Sequence, residues 1–574
     1  MHGMNDSAAA KISTPWWVLC LCAAVSFAGI FDREAWTPDE PREVAIVLEM
    51  SRTGDFVIPH LAGKPFVEKP PLYYVAAAGV ARALGPVLGM TGAIRLSTAL
   101  WGLGSLAMAF LLARRLFDPD RAVLVCAVLS TMAGFVENMH WIRVDAALVF
   151  FVVAAAWCFG EVYVGQRRWF CLPAGLFAAG AFLSKGVIGP LLIGLAWLGL
   201  VLPWVAGHRR KRGELFILQH LLALLFFAVP AGAWMYLLRT NGGPELWHAW
   251  FYDNHFGRLS GAATALGHMR RDPFYYVEAL VFYTLPWLPA LVLSLASTCR
   301  ELRGRRALAP ARVSVLIWGL GAIVLLSISR TKRAMYLAPV LPALALLCVD
   351  GMDGKAPRWA DVFSNVWMGL CLFLLAAFAL SPLWAGLLPP SAPDKAAAVL
   401  RSFSLRHAFT AMAFLAGARI VFRPPGALTA PARLAAATAL LYLGVFAVPA
   451  KALDKEKSLR EGTVAFVSRI PESGRARVAG WNFTETTRAA FYYYCDWTVP
   501  LVGDKDRLAR IVRGEDRDYD SVILSEVKSV PGLLAGTPYR VLAEQAVGTV
   551  SHRRDLSWIA GAGGKRNDAE PRGP

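Results

Sequence analysis

Two stretches of this 574-residue chain set acidic and basic side chains next to each other in a way that suits chemistry on an anionic substrate. The first is Thr37-Pro38-Asp39-Glu40-Pro41-Arg42, with two adjacent carboxylates and an arginine. The second is Phe66-Val67-Glu68-Lys69-Pro70-Pro71-Leu72-Tyr73-Tyr74, where the proline pair stiffens the backbone that presents Glu68 and Lys69. A carboxylate can take a proton from a nucleophile, and a lysine or arginine can neutralise a phosphate. Either stretch alone could be an interfacial anchor with its carboxylates paired to arginines. Two such motifs in one loop favour a site.

Asp145, in Trp141-Ile142-Arg143-Val144-Asp145, opens an apolar run. It reads either as a helix-start carboxylate favoured by the dipole or as a second acid facing the cavity of Asp39. Lys185, in Leu183-Ser184-Lys185-Gly186, lies where two short apolar runs meet. It can snorkel to water or hold a lipid phosphate as a point charge. Arg330, Lys332 and Arg333, followed by Tyr336, form a further cationic group. Asp253-Asn254-His255-Phe256-Gly257-Arg258 precedes His268, Arg270 and Arg271. A lone histidine is more often structural than a ligand. A metal there would need ligands from another segment, and Glu68 is a candidate.

These residues must be positioned by a membrane protein. The chain is 56% apolar and only 17% charged, with a mean hydropathy of +0.45, more apolar surface than a soluble domain can hide. Candidate spans run over 15–31, 94–114, 121–138, 146–164, 171–184, 187–205, 216–238, 276–297, 313–329, 335–350, 363–387, 405–422 and 431–449. The stretch 72–89 is also apolar but has Arg82 at its middle. A mid-bilayer arginine costs about 2.5–3.5 kcal/mol, so this stretch reads as interfacial. The apolar run Trp16–Phe31 has no convincing cleavage site after it and reads as the first span.

With thirteen spans and residues 1–14 cytoplasmic, the basic loops at Arg114, Arg115 and Arg121, at Arg167 and Arg168, at Arg209–Arg212 and at Arg300–Arg312 all fall on the cytoplasmic side. The domain layout is then a transmembrane region over 15–450, its first external loop at 32–93, an external α/β domain over 451–560 and a disordered end at 561–574. In the tail, Arg477–Trp481, Val499–Val502, Ser521–Leu524 and Arg540–Ala543 read as strands, and Lys457–Arg469 and Thr486–Cys495 as helices. The net charge of +18 lies mostly in short loops between spans, which suits anionic lipid headgroups and not nucleic acid. Eight of the nine cysteines lie in or beside spans, so no disulfide is expected.

A G-x-x-x-x-G-K-[ST] loop is absent, so nothing supports ATP-driven transport. Asp516-Arg517-Asp518 has the D-x-D pattern of nucleotide-sugar transferases but reads as a solvated turn in an external tail.

The motifs taken together resemble those of the bacterial aminoarabinose transferases of lipid A, members of the GT-C membrane glycosyltransferases along with the protein O-mannosyltransferases. The resemblance is carried by Asp39-Glu40-Pro41-Arg42, Gly54-Asp55-Phe56-Val57-Ile58-Pro59-His60-Leu61 and Glu68-Lys69-Pro70-Pro71-Leu72. It continues through Arg143-x-Asp145, Leu183-Ser184-Lys185-Gly186, His255-Phe256-Gly257-Arg258, Pro273-Phe274-Tyr275-Tyr276 and Lys332-x-x-x-Tyr336-Leu337-x-Pro339. The chain departs from the pattern after Arg42, where Glu43-Val44-Ala45 replaces an aromatic-led run, and past residue 350 the similarity thins.

The resemblance implies a sugar donor on undecaprenyl phosphate and lipid A as acceptor at the outer face of a bacterial inner membrane. It makes Asp39 the main catalytic carboxylate and Asp145 a second acid. Lys69, Arg258 and Tyr336 would hold the donor phosphate, with Arg42, Lys185, Glu40 and Lys332 also in the substrate site. Glu68 and His255 would hold a divalent metal, zinc or magnesium; no nucleotide cofactor is implied. Two other readings stay open. One is transfer of a hexosamine or mannose to lipid A, another glycolipid or a protein; the other is a lipid-linked sugar flippase or transporter.

Overall fold

The computed structural model describes residues 14–207, 214–257, 272–352, 357–388, 394–423, 428–525, 534, 537–548 and 553–562. All thirteen stretches expected to span the membrane are helical. Among the described residues seven helices are long and apolar enough to cross a bilayer unbroken, including Met90–Leu116, Asp145–Tyr163 and Pro310–Ile328. The chain is a multi-pass membrane protein.

Several of the remaining spans are broken. The 121–138 stretch divides into Pro119–Thr131 and Ala133–His140, bent by 65°. The 276–297 stretch divides into Tyr275–Tyr283 and Leu288–Arg303 around Pro286, which has no amide proton to give a helix. The 335–350 stretch enters through a 3-10 turn, Ala334–Val340, before the α-helix Leu341–Asp350. That turn carries Tyr336, so irregular backbone occurs where site residues must be aimed inward.

The 32–93 loop is ordered. Asp39 caps a helix, Glu40–Thr53, that carries Pro41 in its first turn and closes on Gly54 in the left-handed conformation. Its Val44, Ala45, Ile46, Val47 and Met50 are all buried. Part of their cover is the helix Leu72–Leu88, the stretch expected to be interfacial. Arg82 on that helix donates from Nε to the Ser51 carbonyl at 2.7 Å, so its charge turns to the loop.

The tail folds as an α/β domain. A five-stranded sheet has the order Leu501–Val502, Val478–Trp481, Ser521–Ser525, Arg554–Gly561, Tyr539–Val547. The first three strands are parallel and the last two pair antiparallel. The four strands and two helices expected in the tail are present. Strand Arg554–Gly561 and helix Lys505–Arg513 were not foreseen. The helix was announced by Asp504, which caps it, and by Gly514, which ends it at a φ of 75°. The end at 561–574 lies outside the described residues, apart from Gly561 and Ala562. The Asp516 and Asp518 carboxylates both pair with Arg507, a solvated turn as read from the sequence.

The tail clamps the loop. Asp454 Oδ1 accepts from the Glu34 amide at 2.8 Å and from Trp36 Nε1 at 2.9 Å. Trp36 also bridges to Ser458, and the Thr37 amide donates to the Lys457 carbonyl at 3.2 Å. Helix Glu485–Cys495 packs along Glu40–Thr53, tied by Arg52 to Asp496 at 2.5 Å. Hydrogen bonds to a charged acceptor contribute about 1.5–3 kcal/mol each. Asp454→Ala is therefore expected to lower the melting temperature of the detergent-solubilised protein and to open the 33–38 segment to protease. Wild-type protease resistance in that variant would mean the tail does not hold the loop.

Candidate active site

Asp39, 5% exposed, is the centre of the site because of where its helix begins. Oδ2 accepts from Arg333 Nη2 at 2.7 Å and lies 3.2 Å from Arg143 Nη2, while Oδ1 lies 3.8 Å from Arg42 Nη2. Burial alone would raise its pKa. The guanidinium groups of Arg143, Arg333 and Arg42 outweigh that and hold the carboxyl well below the usual carboxylate range.

Arg42 leads to the next group. Its Nη2 donates to Glu43 Oε1 at 2.8 Å, and its Nη1 reaches Glu485 of the tail at 3.0 Å. Lys69 Nζ donates to the same Glu43 oxygen at 2.7 Å, and the Tyr74 hydroxyl donates to Glu43 Oε2 at 2.7 Å. Glu43 is wholly buried. That would raise its pKa, but Lys69 and Arg42 together lower it. So Lys69 and Arg42, expected to meet a phosphate, already share one anion.

The third group lies at the ends of spanning helices. Asp145 is fully buried and pairs with Lys185, while its Oδ2 makes no hydrogen bond. The Lys185 ammonium also sits over the Tyr336 ring, 4.3 Å from its centroid. Lys69 and Arg333 lie close enough for their like charges to act on Lys185, and Asp145 close enough to act on Arg333. Asp39, Arg42, Lys69, Asp145, Lys185 and Tyr336 thus meet in one region, with Arg333 joining them directly. Lys332, 4% exposed, lines a cavity beside Arg333.

Glu40 corrects the expectation that it binds substrate. It is fully buried, and its oxygens accept from Arg95, from the Trp36 amide at 2.7 Å and from the Ile142 amide at 3.0 Å, with Arg33 3.7 Å away. Burial raises its pKa, but Arg95 and Arg33 bring it down to about 2. A carboxylate so occupied is scaffolding.

The metal candidates are only partly brought together. His255 Nδ1 donates to the Trp250 carbonyl at 3.0 Å. Asn254 donates to the Val67 carbonyl at 3.3 Å, which brings this segment beside Glu68. Among the described residues no group of three His, Cys, Asp or Glu lies within metal-binding reach, so the protein donors described fall short of a three-ligand site. Arg258, His268, Arg270 and Arg271 lie outside the described residues.

Three partners escaped the sequence reading as site residues: Glu43, Arg143 and Glu485. Glu43 stood in the segment that departs from the family pattern, and Arg143 stood two residues before Asp145. Either position could have marked them. Glu485 had no signal, because its partner is 443 residues away.

Comparisons with known proteins agree with the resemblance drawn from the motifs. Residues 68–234 match the family model described as dolichyl-phosphate-mannose-protein mannosyltransferase. The undecaprenyl phosphate-alpha-4-amino-4-deoxy-L-arabinose arabinosyl transferase of Pseudomonas aeruginosa (strain UCBPP-PA14) is 31% identical over 387 residues, 63% of this chain and 65% of that one. The enzyme of the same name from Pectobacterium carotovorum is 26% identical over 385 residues, 65% of each chain. The chain thus spans 54% to 65% of the length of the curated relatives it matches. The crystal structures of ArnT from Cupriavidus metallidurans, in the apo state and bound to undecaprenyl phosphate, share its fold with a TM-score of 0.70 at 20% identity. The apo structure covers 95% of this chain and 98% of that one. The fold is therefore that of these ArnT structures, a polytopic helical membrane protein with a small C-terminal α/β domain.

Two predictions follow from the charges. Glu40, with its pKa lowered from 4.5 to about 2, gives stability that is complete above the unfolded value and is lost as pH falls through the folded one. The melting temperature should then be insensitive to these loop carboxylates from about pH 8 to about pH 5 and fall below about pH 4; a steep loss between about pH 8 and about pH 6 would contradict their pairing. Glu43→Gln should cost stability, by about 3–5 kcal/mol if Lys69 and Arg42 are left uncompensated. The same variant should bind a probe anion, inorganic phosphate, more tightly, because the acid shared by two cations is neutralised. Unchanged or weaker binding in a folded variant would mean that Lys69 and Arg42 do not face that ligand.

Proposed function

We propose that this chain is a polyprenyl-phosphate-dependent glycosyltransferase that moves a sugar, 4-amino-4-deoxy-L-arabinose, from undecaprenyl phosphate to a phosphate of lipid A. The observation that carries the reading is the buried Asp39 carboxylate, held among Arg42, Arg143 and Arg333 and beside the Lys69–Glu43 and Lys185–Asp145 pairs. The positive-inside pattern of the sequence supports a position for this cluster on the periplasmic face of an inner membrane, where both lipids would be within reach.

The reaction is one in-line displacement. A phosphate oxygen of the acceptor attacks the anomeric carbon, and the bond from that carbon to the undecaprenyl phosphate oxygen breaks. The electron pair leaves with the phosphate, whose growing charge would be met by Lys69 and Arg42; the family resemblance adds Arg258, which lies outside the described residues. Such preorganised cations lower the barrier most when they are already in place and partly dehydrated. No proton need be removed from an ionised phosphate. That fits Asp39, whose three arginines make it a weak base, better than deprotonation of a hydroxyl would. Asp39 instead orients the sugar, whose amine it can hold as a charged partner, and the product is inverted at the anomeric centre.

Transfer of a hexosamine or mannose would use the same cations and differ in the sugar's contacts. A transporter would need no fixed cations at a reacting centre. Asp39→Asn should cut turnover by about 10²–10⁴ in a site of this kind and leave undecaprenyl phosphate binding intact. Mass spectrometry of lipid A from cells with and without the protein should detect an added pentosamine. An added hexosamine would replace the sugar assignment; lipid A left unmodified by the wild-type protein, or an Asp39→Asn variant as active as wild type, would overturn the reading.

A further inference from the structure

The oxygens of Asp39 face two different cation groups. Oδ1 faces Arg42, which shares Glu43 with Lys69. Oδ2 meets Arg143 and Arg333, and beyond them opens a cavity of about 250 Å³ lined by Glu137, Arg143, Tyr275, Tyr283, Lys332 and Arg333. An in-line displacement needs its nucleophile and leaving group on opposite sides of one carbon, and here both are phosphates. Two cationic sites flanking one carboxylate have that layout.

Arg143 is the member that points to a ligand. It is 7% exposed and its plane lies over Trp141, 4.5 Å from the ring centroid. Nη2 faces Asp39, but Nε and Nη1 make no hydrogen bond, and the nearest anion to Nη1 is Glu137 at 3.5 Å. The buried Tyr283 side chain stands on the same wall. Buried donors without partners are costly, by about 1–3 kcal/mol each, and are retained where a ligand completes them. Arg143, Lys332 and Arg333 outnumber Glu137 on the wall, so the ligand is an anion. A guanidinium fork with two donors unfilled suits the oxygens of a phosphate.

We propose that this cavity binds the phosphomonoester of the acceptor lipid, across Asp39 from the donor phosphate held by Lys69 and Arg42. The proposal rests on the transferase reading above and assigns Lys332 to the acceptor and not to the donor. Arg143 and Arg333 then act twice: each fixes Asp39 and each presents a donor to the incoming nucleophile. Glu137 keeps Arg143 turned toward the cavity when it is empty.

The test is binding, which needs no turnover. The full chain in lipid nanodiscs would be titrated with lipid A, with lipid A stripped of its phosphates and with undecaprenyl phosphate. The protein would be wild type, Lys332→Ala, Arg143→Lys or Tyr283→Phe, each checked for a wild-type melting profile. Lys332→Ala and Arg143→Lys are expected to weaken phosphorylated lipid A by about tenfold, Tyr283→Phe by less, with undecaprenyl phosphate binding unchanged. Phosphate-stripped lipid A should bind weakly to all forms. Wild-type affinity for lipid A in both cation variants, or a loss confined to undecaprenyl phosphate, would overturn the proposal. The transferase reading fails separately: if wild-type protein moves no sugar to lipid A while the phosphate-dependent loss is still seen, the cavity assignment stands without it.

Discussion

The Glu40 carboxylate has no contact with water, and the Arg95 guanidinium is 1% exposed. Arg95 donates to it from Nε at 3.2 Å and from Nη2 at 2.8 Å, and Arg95 also gathers the carbonyls of Arg33 and Glu34. One ion pair therefore joins a membrane helix, Met90–Leu116, to both the irregular 33–36 segment and the first turn of the loop helix. Removing one partner of such a pair costs about 3–5 kcal/mol, because the other charge stays buried. That asymmetry makes it a locating pin. The amide of Ile142, also bound by Glu40, brings the Trp141–Asp145 segment to the same point.

With that pin in place, the neighbouring positions are determined by the helix. Asp39 stands at the cap, where it meets Arg143 and Arg333; Arg42 and Glu43 follow one turn on, where they meet Lys69 and the tail. The cations come from five separate stretches and would repel one another without the acids between them. Asp39, Glu43 and Asp145 each neutralise two or more positive neighbours or one buried lysine. An anionic substrate can enter such a lattice by exchange, replacing a carboxylate contact by a phosphate contact at little cost in desolvation. The tail domain contributes to this arrangement through Asp454 and Glu485, so it is part of the site's support.

Much of this was legible in the residues. Apolar stretch length marked the thirteen helical stretches, and the adjacency of Asp39 to Arg42 and of Glu68 to Lys69 marked the loop. Alternation of apolar positions found four of the five tail strands; Arg554–Gly561, with charged residues at its start, has a weaker pattern. Partner choice was not legible. Nothing at position 40 distinguishes a carboxylate that meets Arg95 from one that meets substrate, because the difference is made by residues 55 positions apart in the chain. Glu43 looked like a loss of family pattern until Lys69 and Tyr74 were placed around it. Breaks such as those at Met132 and Pro286 also depend on the packing of neighbouring helices, which hydropathy does not encode.

The central claim is that the Glu40–Arg95 pair sets the position of Asp39. Hydrogen exchange of the full-length protein in nanodiscs, compared between wild type and Glu40→Gln, tests it most directly. The account predicts faster exchange at the amides of residues 36–44 and 142–146, with the helix Met90–Leu116 as protected as in wild type. Unaltered protection over 36–44 in the variant would contradict it, since the loop would then be held by something other than the buried carboxylate.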